Sequence, residues 1–342
     1  MTRPSPRIFV TQPIPEPALA RLRAVGDVEM NPDPLHIVTK PELMAALERS
    51  EYLVCLLHDR VDAEVIGAGP RLELIACMAI VPAGVDVPAA TARGIPVTTI
   101  PPLVTEATAD LHWALLLAVA RRVAEADRAV RAGLFPGGQS MYFIGGEVHG
   151  KTLGIVGLGR IGEAIARRAR GFDMRILYAK RRRLDAAHES SLGVAFRALD
   201  DLLGEADFVS VNVTLTPETV HLIGPRELGL MRSSAYLVNT ARGPVVDERA
   251  LADALERGQI AGAALDVYEH EPLIEPRLLT LPNVVLTPHI GSAALDTRVA
   301  IADVVVDNVM AVLRGRRPPN LYNPEVYPPA VSSPPQQGRG RG

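Results

Sequence analysis

Thr152-Leu153-Gly154-Ile155-Val156-Gly157-Leu158-Gly159-Arg160-Ile161-Gly162-Glu163 is the stretch from which the rest of the chain is read. Leu153 to Val156 is a mostly apolar run with β-branched residues and reads as a strand, while Glu163 to Ala169 has helical propensity and an apolar face. Between them the glycines stand at the spacing of a dinucleotide-binding fingerprint, and strand, turn, helix is the context which that fingerprint requires. Gly157 permits a sharp turn, Gly159 lets the backbone reach a pyrophosphate, and Gly162 lets helix and strand pack closely. Arg160 and Ile161 belong to the same turn, where the free N–H groups and positive end of the helix face the anion.

The next strand adds a second signal. Met174 to Ala179 ends where the partner of an adenosine ribose belongs, and NAD-binding proteins place an acid there, ~20 residues past the glycines. This chain has Lys180-Arg181-Arg182-Arg183, starting 180 − 162 = 18 residues after the last glycine. Four adjacent cations attract a 2′-phosphate and leave the ribose diol without an acceptor, so NADPH (NADP) is expected and NADH is less favoured. A solvated basic turn is the alternative reading of the same run.

At 342 residues the chain suits two domains. With 48% hydrophobic but only 4% aromatic residues, the core is expected to be aliphatic, as in α/β proteins. A net charge of −3 gives no electrostatic reason to expect nucleic acid as a partner. Cys55 and Cys77 lie in apolar runs and read as buried, reduced core residues. Met1 to Arg7 has basic residues without a following signal-peptide segment, and no run approaches ~18 uninterrupted apolar residues. A cytoplasmic protein without membrane association is expected, and no metal ligands are assigned.

Arg7–Val10, Tyr52–Leu57, Leu72–Cys77 and Pro96–Thr99 read as strands, with helices over Glu16–Val25, Ala63–Ala68 and Ala89–Arg93 between them. This first unit lacks a glycine turn. Thr105–Arg131 reads as one long, mostly buried connecting helix. Leu134–Gly150 is glycine-rich and carries exposed-looking Phe135, Met141, Tyr142 and Phe143, which suits packing on a partner subunit. Further strands follow at Phe208–Val213, Ala235–Asn239, Gly262–Asp266 and Val284–Thr287, then a helix over Thr297–Leu313. The tail, residues 327–342, has a disordered composition. Strands alternating with helices imply parallel sheets, and ligands bind at the carboxyl ends of such strands.

Three residues are delivered to those ends: Arg242, Glu271 and His289. Arginine matches a carboxylate bidentately; histidine can give or take a proton at a carbonyl or alcohol oxygen; a glutamate beside an imidazole orients it and favours its charged form. With a hydride carrier, this set interconverts a 2-oxo acid and a 2-hydroxy acid. Taken singly, Arg242 also reads as a turn residue, Glu271 as a loop acid with Glu269 and His270 as rivals, and His289 as a helix cap.

The chain resembles the D-isomer-specific 2-hydroxyacid dehydrogenase family, and within it the glyoxylate and hydroxypyruvate reductase branch. The segments that carry the resemblance are Val87 to Thr98, the glycine fingerprint, Asn239-Thr240-Ala241-Arg242-Gly243, Ala264 to Pro272, and Thr287-Pro288-His289-Ile290-Gly291-Ser292-Ala293, over residues 7 to 325. It implies two Rossmann-like, doubly wound parallel-sheet α/β domains. The substrate domain, flavodoxin-like, would comprise 1–103 and 293–326, and the dinucleotide-binding domain 104–292. It also implies a homodimer. By resemblance His289 protonates the substrate carbonyl, Glu271 is its partner, and Arg242 anchors the carboxylate; Thr240, Ala241, Asp266 and Gly291 line the nicotinamide, Thr214 the adenosine side, and Ser292 the substrate. The implied reaction is NADPH-dependent reduction of a small 2-oxo acid, glyoxylate or hydroxypyruvate. Alternatives are a larger 2-oxo acid, phosphite, or a cofactor-sensing scaffold.

The chain departs from the family in two places. Where relatives hold a carboxylate on a Val-Gly-Tyr-Asp turn, it reads Ile80-Val81-Pro82-Ala83, so Val81 and Pro82 are the expected substrate contacts, with one donor lost at Pro82. Leu134–Gly150 is also short and has no tryptophan.

Overall fold

The computed structural model describes residues 5–327, so the expectation for the tail falls, beyond Tyr327, outside the described residues. One compact unit takes the chain up to Leu103 and from Ala294 onward, and a second takes Val104–Ala293.

The first unit contains β1 (Arg7–Val10), α1 (Glu16–Arg23), β2 (Asp27–Met30), α2 (Lys40–Leu47), β3 (Tyr52–Cys55), α3 (Ala63–Ala68), β4 (Leu74–Cys77), α4 (Val87–Ala92) and β5 (Val97–Thr98). Its sheet is parallel, in the order β2-β1-β3-β4-β5, the flavodoxin-like arrangement. β3 and β4 are buried throughout, which is why they are written as unbroken apolar runs. Cys55 and Cys77 face each other in register there, free and buried.

The second unit contains α5 (Thr105–Ala120), α6 (Val123–Arg131), β6 (Thr152–Val156), α7 (Arg160–Ala169), β7 (Arg175–Ala179), α8 (Ala186–Leu192), β8 (Val194–Phe196), α9 (Leu199–Glu205), β9 (Phe208–Val211), α10 (Pro225–Leu230), β10 (Tyr236–Asn239), α11 (Glu248–Glu256), β11 (Gly262–Leu265) and β12 (Val284–Leu286). α12 (Leu295–Leu313) returns to the first unit, where it packs on α1 and β4. The seven-stranded sheet is parallel, ordered β12-β11-β10-β9-β6-β7-β8. The order therefore reverses between β6 and β9, the switch point at which open α/β sheets bind ligands. Successive strand residues serve opposite faces: Leu153 and Ile155 pack with Trp113, Leu116 and Ile165, whereas Val209, Leu237 and Leu265 join the core on the other side.

Thr105–Arg131 is two helices and not one. Arg122 has φ +54, a left-handed conformation between α5 and α6. The Ala120 carbonyl accepts the Gly146 amide at 2.7 Å, so a loop takes the acceptor that a continuing helix would use. Arg122 then forks onto Glu125, with both bonds 2.8 Å long, and lies 5.0 Å from the centre of the Phe143 ring. Phe143 is thereby half-covered and not exposed, while Phe135 and Met141 are 71% and 80% exposed. Among the described residues no helix is long and apolar enough to cross a membrane.

Candidate active site

The turn after β6 is shaped by what its glycines omit. Gly157 has φ +95, and a Cβ there would stand 2.7 Å from Val213 Cγ1 and 2.8 Å from the Asn212 backbone. A Cβ at Gly162 would stand 2.7 Å from the Gly157 carbonyl oxygen, so α7 lies directly against the turn. At Gly159 an added Cβ meets nothing within 4 Å. That open side adjoins the first turn of α7, which has no side-chain cap and whose amides, Arg160 and Ile161 among them, are left for an anion. A dinucleotide pyrophosphate fits this cradle.

The basic run after β7 is divided in its duties. Lys180 Nζ donates to the Leu158 carbonyl at 3.0 Å, tying the run to the glycine turn. Arg183 forks onto Glu189 through Nε and Nη2, both at 2.8 Å. Tyr178 OH donates to the same carboxylate at 2.6 Å and accepts the Leu184 amide at 2.9 Å. These bonds, Arg183's first and then Tyr178's, hold the Glu189 carboxyl down at about 2. Arg181 and Arg182 are exposed and make no hydrogen bond or ion pair among the described residues.

The third group of residues follows β10, β11 and β12. Asn239, at the end of β10, accepts the Ala241 amide on Oδ1 and donates to the Arg242 carbonyl, both at 3.0 Å, which turns the chain so that Arg242 is exposed. Gly243 is obligatory here: a Cβ would lie 1.8 Å from the Tyr268 carbonyl, so the loops after β10 and β11 touch backbone to backbone. Arg242 Nη1 donates to the Ala241 carbonyl at 2.7 Å, and its charge acts on Glu271.

His289 Nδ1 lies 2.8 Å from Glu271 Oε2, with the two side chains 28% and 33% exposed. Glu271 Oε1 accepts the Tyr268 amide at 3.0 Å. Burial pushes the Glu271 carboxyl up, but the bond and charge of His289, the Tyr268 amide and the Arg242 charge more than offset it, leaving it below the ordinary carboxylate range. His289 sits at φ +54, a conformation that costs a non-glycine residue about 1–3 kcal/mol and clusters at functional sites.

Asp266 holds this conformation. Its Oδ1 accepts Thr287 Oγ1 at 2.6 Å and the Ile290 amide at 2.8 Å, and its Oδ2 accepts the Gly291 amide at 2.8 Å. Burial raises its carboxyl despite these donors. Asp266 and Gly291 are thus bonded to each other, and half-buried Ser292 follows in the same loop. Thr240 is buried, with a hydroxyl that finds no partner among the described residues, and Thr214 is exposed in the loop after β9.

The rival acid is employed elsewhere: Glu269 Oε1 meets His221 Nε2 at 2.7 Å, and Glu269 also bonds Glu248. His270 is exposed. The trio and the glycine turn belong to the second unit. Val81 and Pro82 belong to the first, on a loop where the Val81 carbonyl accepts the Ala83 amide at 2.9 Å and the Pro82 carbonyl accepts the Val85 amide at 3.0 Å. The amides of Ile80 and Val81 make no hydrogen bond among the described residues, so the loop keeps two adjacent donors although Pro82 has none.

Sequence reading expected the segment Thr240 to Gly243 at the cleft but assigned no role to Tyr268 or Glu189. Tyr268 steadies the site through its amide and through its hydroxyl, which donates to the Thr287 carbonyl at 2.8 Å. Neither Tyr268 nor Glu189 leaves a local signal in the sequence, because the partners of both are fixed only by the fold.

Known proteins resemble this chain over nearly its whole length. Residues 113–291 match the family model for the D-isomer specific 2-hydroxyacid dehydrogenase, NAD binding domain. The chain is 48% identical over 325 residues to a glyoxylate reductase of Thermococcus kodakarensis, covering 94% of this chain and 97% of that one. A crystal structure of a Thermus thermophilus protein is 45% identical, with TM-score 0.85, over 92% of this chain and 99% of its own. The NADPH-dependent glyoxylate/hydroxypyruvate reductase of Sinorhizobium meliloti, crystallised with NADP and malonate, is 33% identical, with TM-score 0.76, over 94% and 98%.

Proposed function

Because the chain belongs to the D-isomer specific 2-hydroxyacid dehydrogenases, we propose that it reduces a small 2-oxo acid, glyoxylate to glycolate or hydroxypyruvate to D-glycerate, with NADPH as reductant. The observation that carries this reading is the 2.8 Å bond between His289 and Glu271, in the unit that holds the open glycine turn. Gly157, Gly159, Gly162 and the first amides of α7 hold the pyrophosphate, and Arg181 and Arg182 are the free cations for a 2′-phosphate. A dinucleotide held there would supply the hydride for reduction at C2 of the acid.

Every other step belongs to side chains. Arg242 binds the carboxylate through its planar fork. His289 gives its Nε2 proton to the C2 oxygen as negative charge grows on it. Glu271, ionised across the neutral range, holds Nδ1 and stabilises the imidazolium before transfer. Asp266 keeps the His289 loop in its left-handed turn. Residues 104–292 are then the cofactor domain, with 1–103 and 293–326 the substrate domain. The exposure of Leu134, Phe135, Met141 and Ile144 supports a homodimer assembled on that segment.

Oxidation of NADPH against glyoxylate, hydroxypyruvate and larger 2-oxo acids tests the reaction; silence across the panel with NADPH binding intact overturns it in favour of a cofactor-sensing scaffold. His289→Ala is expected to lower kcat by roughly 10²–10⁴ with the NADPH Kd unchanged, and retained turnover refutes the proton-donor assignment.

A further inference from the structure

The loop between β7 and α8 packs four cations in succession, and like charges on a free loop would spread apart. It is closed at both ends. At its start Lys180 reaches the Leu158 carbonyl at 3.0 Å. At its end the Leu184 amide donates to Tyr178 OH at 2.9 Å and Arg183 forks onto Glu189. Tyr178 is fully buried and Glu189 is 9% exposed, so this end is anchored in the protein interior. Between the two ties stand Arg181 and Arg182, exposed and without a hydrogen bond or ion pair among the described residues. Arg181 is also within electrostatic reach of Glu218, in the loop that carries Thr214.

We propose that Glu189 is a specificity-determining positioning residue: through Arg183 and Tyr178 it fixes this loop so that Arg181 and Arg182 are presented to the 2′-phosphate while Arg183 is withheld from it. The proposal rests on the NADPH reading above. Its physical basis is preorganisation. A bidentate guanidinium–carboxylate pair fixes geometry as well as charge, and a loop ordered before binding does not lose its freedom on binding.

Two opposed effects make the test decisive. Removing the Glu189 charge loosens the loop but also frees a third arginine. If positioning dominates, Glu189→Gln weakens NADP+ binding; if charge count dominates, it strengthens it. Isothermal titration of the full chain with NADP+ and NAD+ is expected to show the NADP+ Kd raised roughly three- to tenfold in Glu189→Gln, with the NAD+ Kd changed far less. Arg183→Gln is expected to do the same, and the double variant no more than either alone, because both break one brace.

A fall in the NADP+ Kd, an equal change for both dinucleotides, or additive effects in the double variant overturns the inference. Should Glu189→Gln fail to fold by thermal melting, Tyr178→Phe, which removes one tie to the carboxylate and the acceptor of Leu184, is expected to shift selectivity in the same direction. An unmodified protein that binds NAD+ as tightly as NADP+ overturns the cofactor reading and this inference with it. A protein selective for NADP+ whose selectivity survives Glu189→Gln overturns the inference alone.

Discussion

The connection from β1 to α1 and the connection from β6 to α7 both leave a parallel strand beside the switch point of its sheet, yet the first is filled by its own side chains and the second is left open. In the first, Thr11 Oγ1 donates to Asp59 at 2.5 Å, Gln12 Nε2 to the His36 carbonyl at 2.6 Å, and Asn31 Nδ2 to the Thr11 carbonyl at 3.1 Å. Pro13 and Pro15 contribute no amide, and a further proline stands in the first turn of α1. In the second, glycines replace all of this: Gly157 takes φ +95 and Gly159 faces empty space. The fold supplies the same position twice. Only residue chemistry leaves one of them open, since a fold fixes the position and not the chemistry placed there.

Breaking the open turn should have the largest effect. Gly157→Val adds a branched side chain at a positive φ and against the Asn212 backbone, so dinucleotide Kd is expected to rise by at least about 100-fold. Gln12→Ala, at the matching place in the other sheet, should leave that Kd unchanged. Equal effects from the two changes would erase the contrast between the turns. A smaller effect is expected at the edge of the same turn: Arg181→Ala with Arg182→Ala should weaken NADP+ roughly tenfold or more, the worth of charge-assisted hydrogen bonds to phosphate, and leave NAD+ nearly untouched. Titration with both dinucleotides measures the ratio directly.

What could be read from the chain follows from how locally each feature is determined. Both sheets were legible because their central strands are buried on both faces and spelled in uninterrupted apolar residues, such as Tyr52 to Cys55 and Phe208 to Val211. β2 was not, because Asp27–Met30 is an edge strand whose residues alternate between exposed and half-buried. α2 left a signal that went unused, since Thr39 and Glu42 form a capping box at its start.

The break at Arg122 left no signal, because no glycine or proline marks it and its cause is Gly146, far along the chain. The site divides in the same way. The glycine turn was expected from motif spacing and the trio from strand ends and family resemblance, whereas the ties Asp266 to Gly291 and Glu189 to Arg183 join residues that only the folded chain brings together.

On dinucleotide binding the smallest effects should come from the two long helices, which repeat the contrast between filled and open polar groups inside the cores and act on stability instead. Asn308 of α12 is fully buried, and its amide is bonded at both ends: Nδ2 donates to the Thr99 carbonyl at 3.4 Å, while Oδ1 accepts the Asn320 backbone amide at 3.1 Å. His112 of α5 is equally buried, and neither ring nitrogen has a partner among the described residues. Burial alone pushes its imidazole down to about 3. The unfolded chain takes up a proton at about 6.5 and the native state does not. Above that pH the ring is neutral in both states and adds no pH dependence; as pH falls below it, proton uptake by the unfolded chain alone costs the native state up to about 1.4 kcal/mol per unit until pH nears 3.

His112→Leu should flatten this acid slope without weakening the protein at neutral pH, since it removes a polar group that has no partner. Asn308→Leu should cost about 1–3 kcal/mol at any pH, because it strands the groups that Asn308 now satisfies. Urea denaturation of both variants at pH 7 and pH 4.5 separates the two behaviours. An unchanged pH slope in His112→Leu would mean that the imidazole finds a partner in solution, and the contrast between the helices would disappear.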